Sequence, residues 1–323
     1  MKYDVIGIGN AIVDVITQAD DAFIQEHALA KGTMRLIDAR QASDLYDHMN
    51  PGRETSGGSV ANTCAGVASF GGKVAYVGRV AQDQLGEVFA HDIVAAGVDF
   101  LRSSADPLGP PTARCLVLVT PDAQRTMSTY LGACVELCPD DINPEDFQNA
   151  QVTYLEGYLW DPPSAKEAML KAANAARSAG RKVALSLSDA FCVDRHRASF
   201  QQLIDEYVDV LFANEAEILS LTQCESFDAA VEAISGRAEW IVITRGALGS
   251  VVITSSGIKT IPAATVTRLV DTTGAGDLYA AGFLFGYTRG SSAEECARLG
   301  SLAAAEVISH YGARPEVKLA TLL

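Results

Sequence analysis

A chain of 323 residues, 48% hydrophobic and 20% charged, is long enough for one large α/β domain with at most a small appendage. Its formal net charge of −15 argues against nucleic acid and anionic membrane as partners, and no apolar run is long enough to cross a bilayer. Seven cysteines without a CxxC pair and five scattered histidines exclude a disulfide framework and a zinc site; Met1-Lys2-Tyr3-Asp4 runs straight into a strand pattern without a secretory leader, so a cytoplasmic protein is expected.

The first β-branched run, residues 5–8, leads through Gly7-Ile8-Gly9-Asn10, which begins like a dinucleotide fingerprint. Ile12 stands where a third glycine would be needed, and no acidic residue closes a second strand about 20 residues on, so an NAD site is set aside. Asn10 and Asp14 remain, just past the carboxyl end of that strand. A carboxylate among apolar neighbours is costly unless hydrogen-bonded, and two vicinal sugar hydroxyls would satisfy it; a turn or cap aspartate is the plainer alternative. Residues 17–37 break the rhythm and end in a strand-like 33–37. Ser56-Gly57-Gly58-Ser59 then opens a helix predicted over 59–70. Gly57 and Gly58 remove side chains where a ligand could pass, and Asn62 points back toward them from one turn inside the helix. The alternative is an ordinary loop capped by Ser59.

A strand at 74–80 and a helix at 84–96 follow. Residues 100–131 interrupt again: 113–119 and 125–130, around Thr120-Pro121-Asp122-Ala123, read as a β-hairpin. The two irregular regions, about 15–38 and 100–131, are expected to form one small β lid. Arg125, beside its turn, is either solvated or turned inward to neutralise a moving phosphoryl group.

Strands at 152–155, 183–187, 210–212 and 240–244 alternate with helices at 164–179, 215–221 and 227–235. Such alternation predicts a mostly parallel sheet covered on both faces, with ligands beyond the carboxyl ends of the strands. Asn214 and Glu217 have the spacing of a capping box. Thr244-Arg245-Gly246 and Gly249 form a turn before a second hairpin, 249–254 and 257–261, with Arg245 adding positive charge at that edge. Gly274-Ala275-Gly276-Asp277 then follows a β-branched run and opens an apolar helix, 278–287. Glycines at a helix start expose unpaired N–H groups and the positive end of the dipole, an anion site. Asp277 there either caps the helix or takes a proton from a hydroxyl about to attack phosphorus. Gly312 and Pro315, around Ala313-Arg314, read as a stop signal for the last helix.

The run Asp271-Thr272-Thr273-Gly274-Ala275-Gly276-Asp277 resembles the signature of the ribokinase family, also called the PfkB carbohydrate kinases. The resemblance extends from Gly9 to Gly312, with four motifs in the family's order, and implies a single ribokinase-like three-layer αβα domain over 1–323 with a mostly parallel central sheet and a small β lid. Gly-Gly-Ser-x-x-Asn at 57–62, with Gly-Asn-x-x-x-Asp at 9–14, is more similar to the adenosine kinase-like branch than to ribokinases or fructokinases. That branch implies ribose binding by Asp14, Gly58 and Asn62, with Asn10 and Gly57 beside them, and an Arg at the place of Arg125. The family implies Asp277 as base, the amides of Gly274, Ala275 and Gly276 as anion hole, Asn214 and Glu217 near Mg²⁺ through water, and Thr244, Gly246, Gly249 and Gly312 around ATP. Family members often hold a monovalent cation such as K⁺ near Asp271 and Thr273. Met34, Leu131, Tyr158 and Phe191 are candidates to wall a slot for a planar base, or plain core. Tyr279 and Ser186-Leu187-Ser188-Asp189 depart from the family's pattern. The expected activity is ATP-dependent phosphorylation of a nucleoside 5′-hydroxyl, adenosine giving AMP and ADP, by a monomer or homodimer. The rivals are a ribokinase- or fructokinase-like sugar kinase and a non-catalytic nucleoside or sugar sensor.

Overall fold

The protein is described by a computed structural model covering residues 1–102, 108–122 and 124–323. Residues 103–107 of the predicted lid region and Ala123 of its predicted turn lie outside the described residues. In chain order the strands are β1 Tyr3–Ile8, β2 Ile12–Gln18, β3 Met34–Leu36, β4 Arg53–Gly57, β5 Val74–Gly78, β6 Val98–Arg102, β7 Ala113–Val119, β8 Arg125–Tyr130, β9 Ala150–Glu156, β10 Lys182–Ser186, β11 Val210–Asn214, β12 Trp240–Thr244, β13 Ser250–Thr254 and β14 Gly257–Ile261.

Among the described residues nine strands form a large sheet in the order β14-β13-β12-β11-β10-β9-β1-β5-β6. The helical crossovers return each strand in the same direction, so β6, β5, β1, β9, β10, β11 and β12 pair parallel with one another in that order. Only β13 and β14 run antiparallel, because the short connections that join them to their predecessors can only reverse the chain. Strand residues alternate between the two faces with period two. In β11, Val210 and Phe212 join the core under helices Ser59–Ser69, Ala275–Tyr287 and Ala293–Val307, whereas Leu211 and Ala213 join the opposite core under Pro163–Ser178, Ala190–Tyr207 and Glu215–Thr222. Both faces are therefore covered, which is why these strands read as nearly continuous apolar runs.

A second sheet has the order β3-β8-β7-β2-β4, with β7 and β8 as the predicted antiparallel hairpin. It differs in membership from the two regions singled out in the sequence. It begins at Ile12, and β4, which pairs antiparallel with β2, forms one edge. The stretch Arg53-Glu54-Thr55-Ser56-Gly57 is short and polar and carries no strand signal of its own. At the other boundary, β6 pairs with β5 in the large sheet; Phe100 stacks there against Tyr76 and meets Phe89 at a tilt. Asp14 and Gly57 thus belong to the second sheet, while Asn214, Thr244 and the 271–277 loop lie at the carboxyl ends of the large one. The chain enters β2 at Ile12 rather than a helix, so Gly7 and Gly9 are not a dinucleotide turn.

Candidate active site

Gly274 caps the helix Ala275–Tyr287 at φ +78°, and a Cβ on it would lie 2.8 Å from the Cα of Ala313. Only glycine meets both demands. The Ala275 amide donates to the Thr272 carbonyl at 3.2 Å, whereas the amides of Gly274 and Gly276 have no acceptor among the described residues, as expected at a helix start. A Cβ on Gly276 would meet nothing within 4 Å, so this glycine keeps space open rather than resolving a clash.

Asp277 stands in the first turn of the same helix, half-buried. One carboxylate oxygen accepts from Ser59 Oγ at 2.6 Å and the other from Asn62 Nδ2 at 2.9 Å. Burial raises its pKa, against the hydrogen bonds from Ser59 and Asn62 and the charge of Arg314. The helix Ser59–Ser69 that supplies both donors begins at Gly58, where φ is +97° and a Cβ would fall 2.1 Å from the Asn10 carbonyl oxygen. The Oδ1 atom of Asn62 is buried without a hydrogen-bond partner among the described residues. An orphaned amide oxygen beside a carboxylate is what a bound hydroxyl would satisfy.

The residues 274–277 line a cavity of about 330 Å³ together with Ser59, Tyr158, Ser186, Ser188, Asn214, Glu217 and Thr244. A second cavity of about 550 Å³ shares Thr244, Thr272, Ala275, Gly276 and Tyr279 with the first. Its remaining wall is made of small or apolar residues, including Gly246, Gly249, Ala263, Ala304 and Ala305. The two chambers therefore meet at the helix start. Tyr279 between them is buried and donates to Ser250 Oγ at 2.7 Å, a structural use for that departure. Ser186 and Ser188 line the first chamber, and Asp189 caps the helix Ala190–Tyr207. Of the four residues considered for a base slot, Tyr158 lines the first chamber, whereas Met34 and Phe191 are largely open to solvent.

Asp14 enters from β2. A Cβ on Gly57 would lie 2.4 Å from its carboxylate, so the glycine makes room for that group. No side chain or amide hydrogen-bonds the Asp14 carboxylate among the described residues. Burial pushes it up to about 6, with Arg314 and Arg125 opposing and Asp277 adding. Asn10 lies behind the site: its side-chain amide donates to Glu156 at 2.7 Å and its oxygen accepts from Cys134 Sγ at 3.1 Å. These bonds fix the Asn10 side chain from behind and use one of its two amide hydrogens.

Arg125 reaches from β8 to the 271–273 loop, donating to Thr273 Oγ1 at 3.2 Å and pairing with Asp271 at 2.8 Å. Asp271 also accepts from the Thr273 amide, the Thr273 hydroxyl and the Gly312 amide. Three hydrogen-bond donors and a guanidinium already occupy this carboxylate, and no step is assigned to a monovalent cation. Arg245 is likewise spent: it pairs with Glu215 and lies over the Phe227 ring at 3.8 Å.

Asn214 and Glu217 form the expected capping box, with reciprocal bonds of 2.9 Å to each other's backbone amides. Glu217 is nonetheless on the cavity wall, and burial pushes it up to about 7. A desolvated carboxylate facing an anion loop suits a hydrated Mg²⁺, which needs few protein carboxylates.

Glu156 and Arg314 were not singled out in the sequence. Glu156, at the end of β9, is buried and accepts from the Asn10 amide and side chain and the Val60 amide. A Cβ on Gly9 would strike it at 2.1 Å, which explains that glycine. Burial pushes Glu156 up to about 7 from 4.5. A carboxyl that holds its proton more tightly folded than unfolded loses stability as pH rises between those values. Wild-type Tm relative to Glu156→Gln is expected to fall from about pH 4.5 to about pH 7 and to level off above; a pH-independent difference by calorimetry would remove the burial argument.

The pfkB family carbohydrate kinase model matches residues 32–319. The crystal structure of adenosine kinase from Sinorhizobium meliloti is 52% identical, with a TM-score of 0.90 over 100% of this chain and 98% of that one. The crystal structure of a probable sugar kinase protein from Rhizobium etli is 48% identical, with a TM-score of 0.92 over 99% of this chain and 97% of that one. The adenosine kinase of Saccharomyces cerevisiae is 27% identical over 97% of this chain and 96% of its own length.

Proposed function

The chain belongs to the pfkB family of carbohydrate kinases, with a ribokinase-like α/β fold, and we propose that it transfers the γ-phosphoryl group of ATP to the 5′-hydroxyl of a nucleoside, adenosine being the expected acceptor. The observation that carries this reading is the position of Asp277: a carboxylate held by Ser59 and Asn62 on the edge of an anion loop whose Gly274 and Gly276 amides have no acceptor among the described residues. The ribose 2′- and 3′-hydroxyls donate to Asp14 and lie beside the orphaned Asn62 oxygen. The 5′-hydroxyl then faces Asp277. As its oxygen bonds to the γ-phosphorus, Asp277 takes the proton, the bond to the β-phosphate oxygen breaks, and ADP leaves. These two amides hold charge on the transferring group. Mg²⁺ bound with the nucleotide supplies further charge neutralisation; Glu217, through water, and Asn214 are the residues that would hold it. The second sheet acts as a lid that keeps water from the phosphoryl group, and Arg125 ties it to the loop before Gly274.

Turnover of Mg-ATP with adenosine, inosine, cytidine, ribose and fructose tests the proposal. The expected outcome is a kcat/KM for adenosine far above those for the free sugars. Preference for ribose or fructose would make it a sugar kinase, and a thermal shift with adenosine but no turnover would make it a sensor.

A further inference from the structure

We infer that Arg314 is a positioning residue of the acceptor site, fastening the glycine turn beneath the ribose to the loop that carries the base. The inference rests on the kinase reading above. The guanidinium donates through Nε and Nη2 to the Ser56 carbonyl at 3.1 and 2.9 Å, through Nη2 to Ser56 Oγ at 3.0 Å, and through Nη1 to the Ala61 carbonyl at 2.9 Å. Its two carbonyl acceptors immediately precede Gly57 and Asn62. One planar group therefore spans the whole turn between the residues offered to the sugar, a geometry that a lysine ammonium cannot reproduce. Ser56 is held from its other side by Asp92, which accepts from its amide at 2.8 Å and its hydroxyl at 2.5 Å.

The same short segment grips the anion loop. The Gly312 amide donates to Asp271 at 3.0 Å, and Ala313 packs so closely on Gly274 that a Cβ there would clash. Residues 312–314 thus join two elements that lie more than 200 positions apart in the sequence, and the register between Asn62 and Asp277 depends on that joint.

Arg314 also contributes charge. It forms no direct ion pair among the described residues, yet Asp14, Asp92 and Asp277 all act on it. Around Asp277 the other titratable groups are Asp14, Glu156, Tyr154 and Tyr158, with Ser59 and Asn62 as hydrogen-bond donors. Arg314 is the only cation acting on Asp277 in that set, and it favours the ionised carboxylate.

The test compares Arg314→Gln and Arg314→Lys in steady-state kinetics and in pH–rate profiles, with Tm as a check on folding. Gln removes the charge. The acid limb of kcat/KM, which follows ionisation of Asp277, should move to higher pH by about one unit. Lys keeps the charge but loses the fork: its acid limb should stay in place while KM for the nucleoside rises severalfold with little change in kcat. A folded Gln variant with wild-type acceptor KM and an unmoved acid limb overturns the inference. If the Gln variant does not fold, wild-type KM in the Lys variant overturns it. Turnover by the wild-type protein tests the kinase reading separately, since only the ratios between variant and wild type bear on Arg314.

Discussion

Replacing Asp277 by Asn is expected to lower kcat about 10²–10⁴-fold while nucleotide binding persists, the usual cost of losing a general base. The hydroxyl proton must leave as the O–P bond forms, and Asp277, one residue past Gly276 at the helix start, is a carboxylate lining the first chamber. Asn keeps the shape and can still meet the Ser59 hydroxyl, but it cannot take a proton. The fold should not suffer, because burial already disfavours the charged form of Asp277. Tm of the variant is expected to equal or exceed that of the wild type. The raised pKa also sets the sign of the pH dependence: below it the carboxyl is protonated and inert, so kcat/KM falls toward acid. Rapid-mixing kinetics and nucleotide calorimetry check both parts. A kcat within tenfold of wild type would leave Asp277 as a first-turn carboxylate that joins Ser59 and Asn62 and nothing more.

Asp14→Ala should lower kcat/KM for a ribonucleoside by about 10²-fold or more. A hydrogen bond to a charged group is worth about 1.5–3 kcal/mol, and two hydroxyls can donate to one carboxylate; about 3 kcal/mol corresponds to a factor of about 10². No side chain in the described residues competes for those oxygens, and Gly57 leaves them room. The loss should be much smaller for a 2′-deoxynucleoside, which has already forfeited one of the two bonds. Because burial pushes Asp14 up to about 6, acceptor affinity should weaken as pH falls through that value, where the carboxylate becomes a neutral acid with less accepting capacity. Equal losses for ribo- and deoxynucleosides would place Asp14 away from the sugar hydroxyls.

Much of this site is legible in the order of the residues because its chemistry is local. A β-branched run, two glycines and an aspartate at a helix start describe an anion site from spacing alone. The same holds for Gly58 followed by Asn62, and for Asn214 with Glu217. In each case the partners lie within about one helical turn, so the geometry of the helix dictates their meeting. The parallel sheet follows from strand–helix alternation for the same reason.

What spacing along the chain does not contain is contact between distant segments. Arg314 reads as a residue beside a helix stop, yet it holds Ser56, 258 positions earlier. Glu156 reads as the end of a strand, yet it engages Asn10, 146 positions away, and fixes that side chain from behind. Arg125 reads as a solvated turn residue or a lid cation, and only its approach to Asp271 and Thr273 reveals that the second sheet is tied to the anion loop. The polar segment Arg53–Gly57 became a strand because β2 offered it an edge. The sequence by itself determined which groups could do chemistry, because backbone periodicity and side-chain type are written residue by residue. Only the tertiary structure decided which of those groups face the cavity and which are consumed behind it, because a hydrogen bond forms where packing brings donor and acceptor together, whatever their separation along the chain.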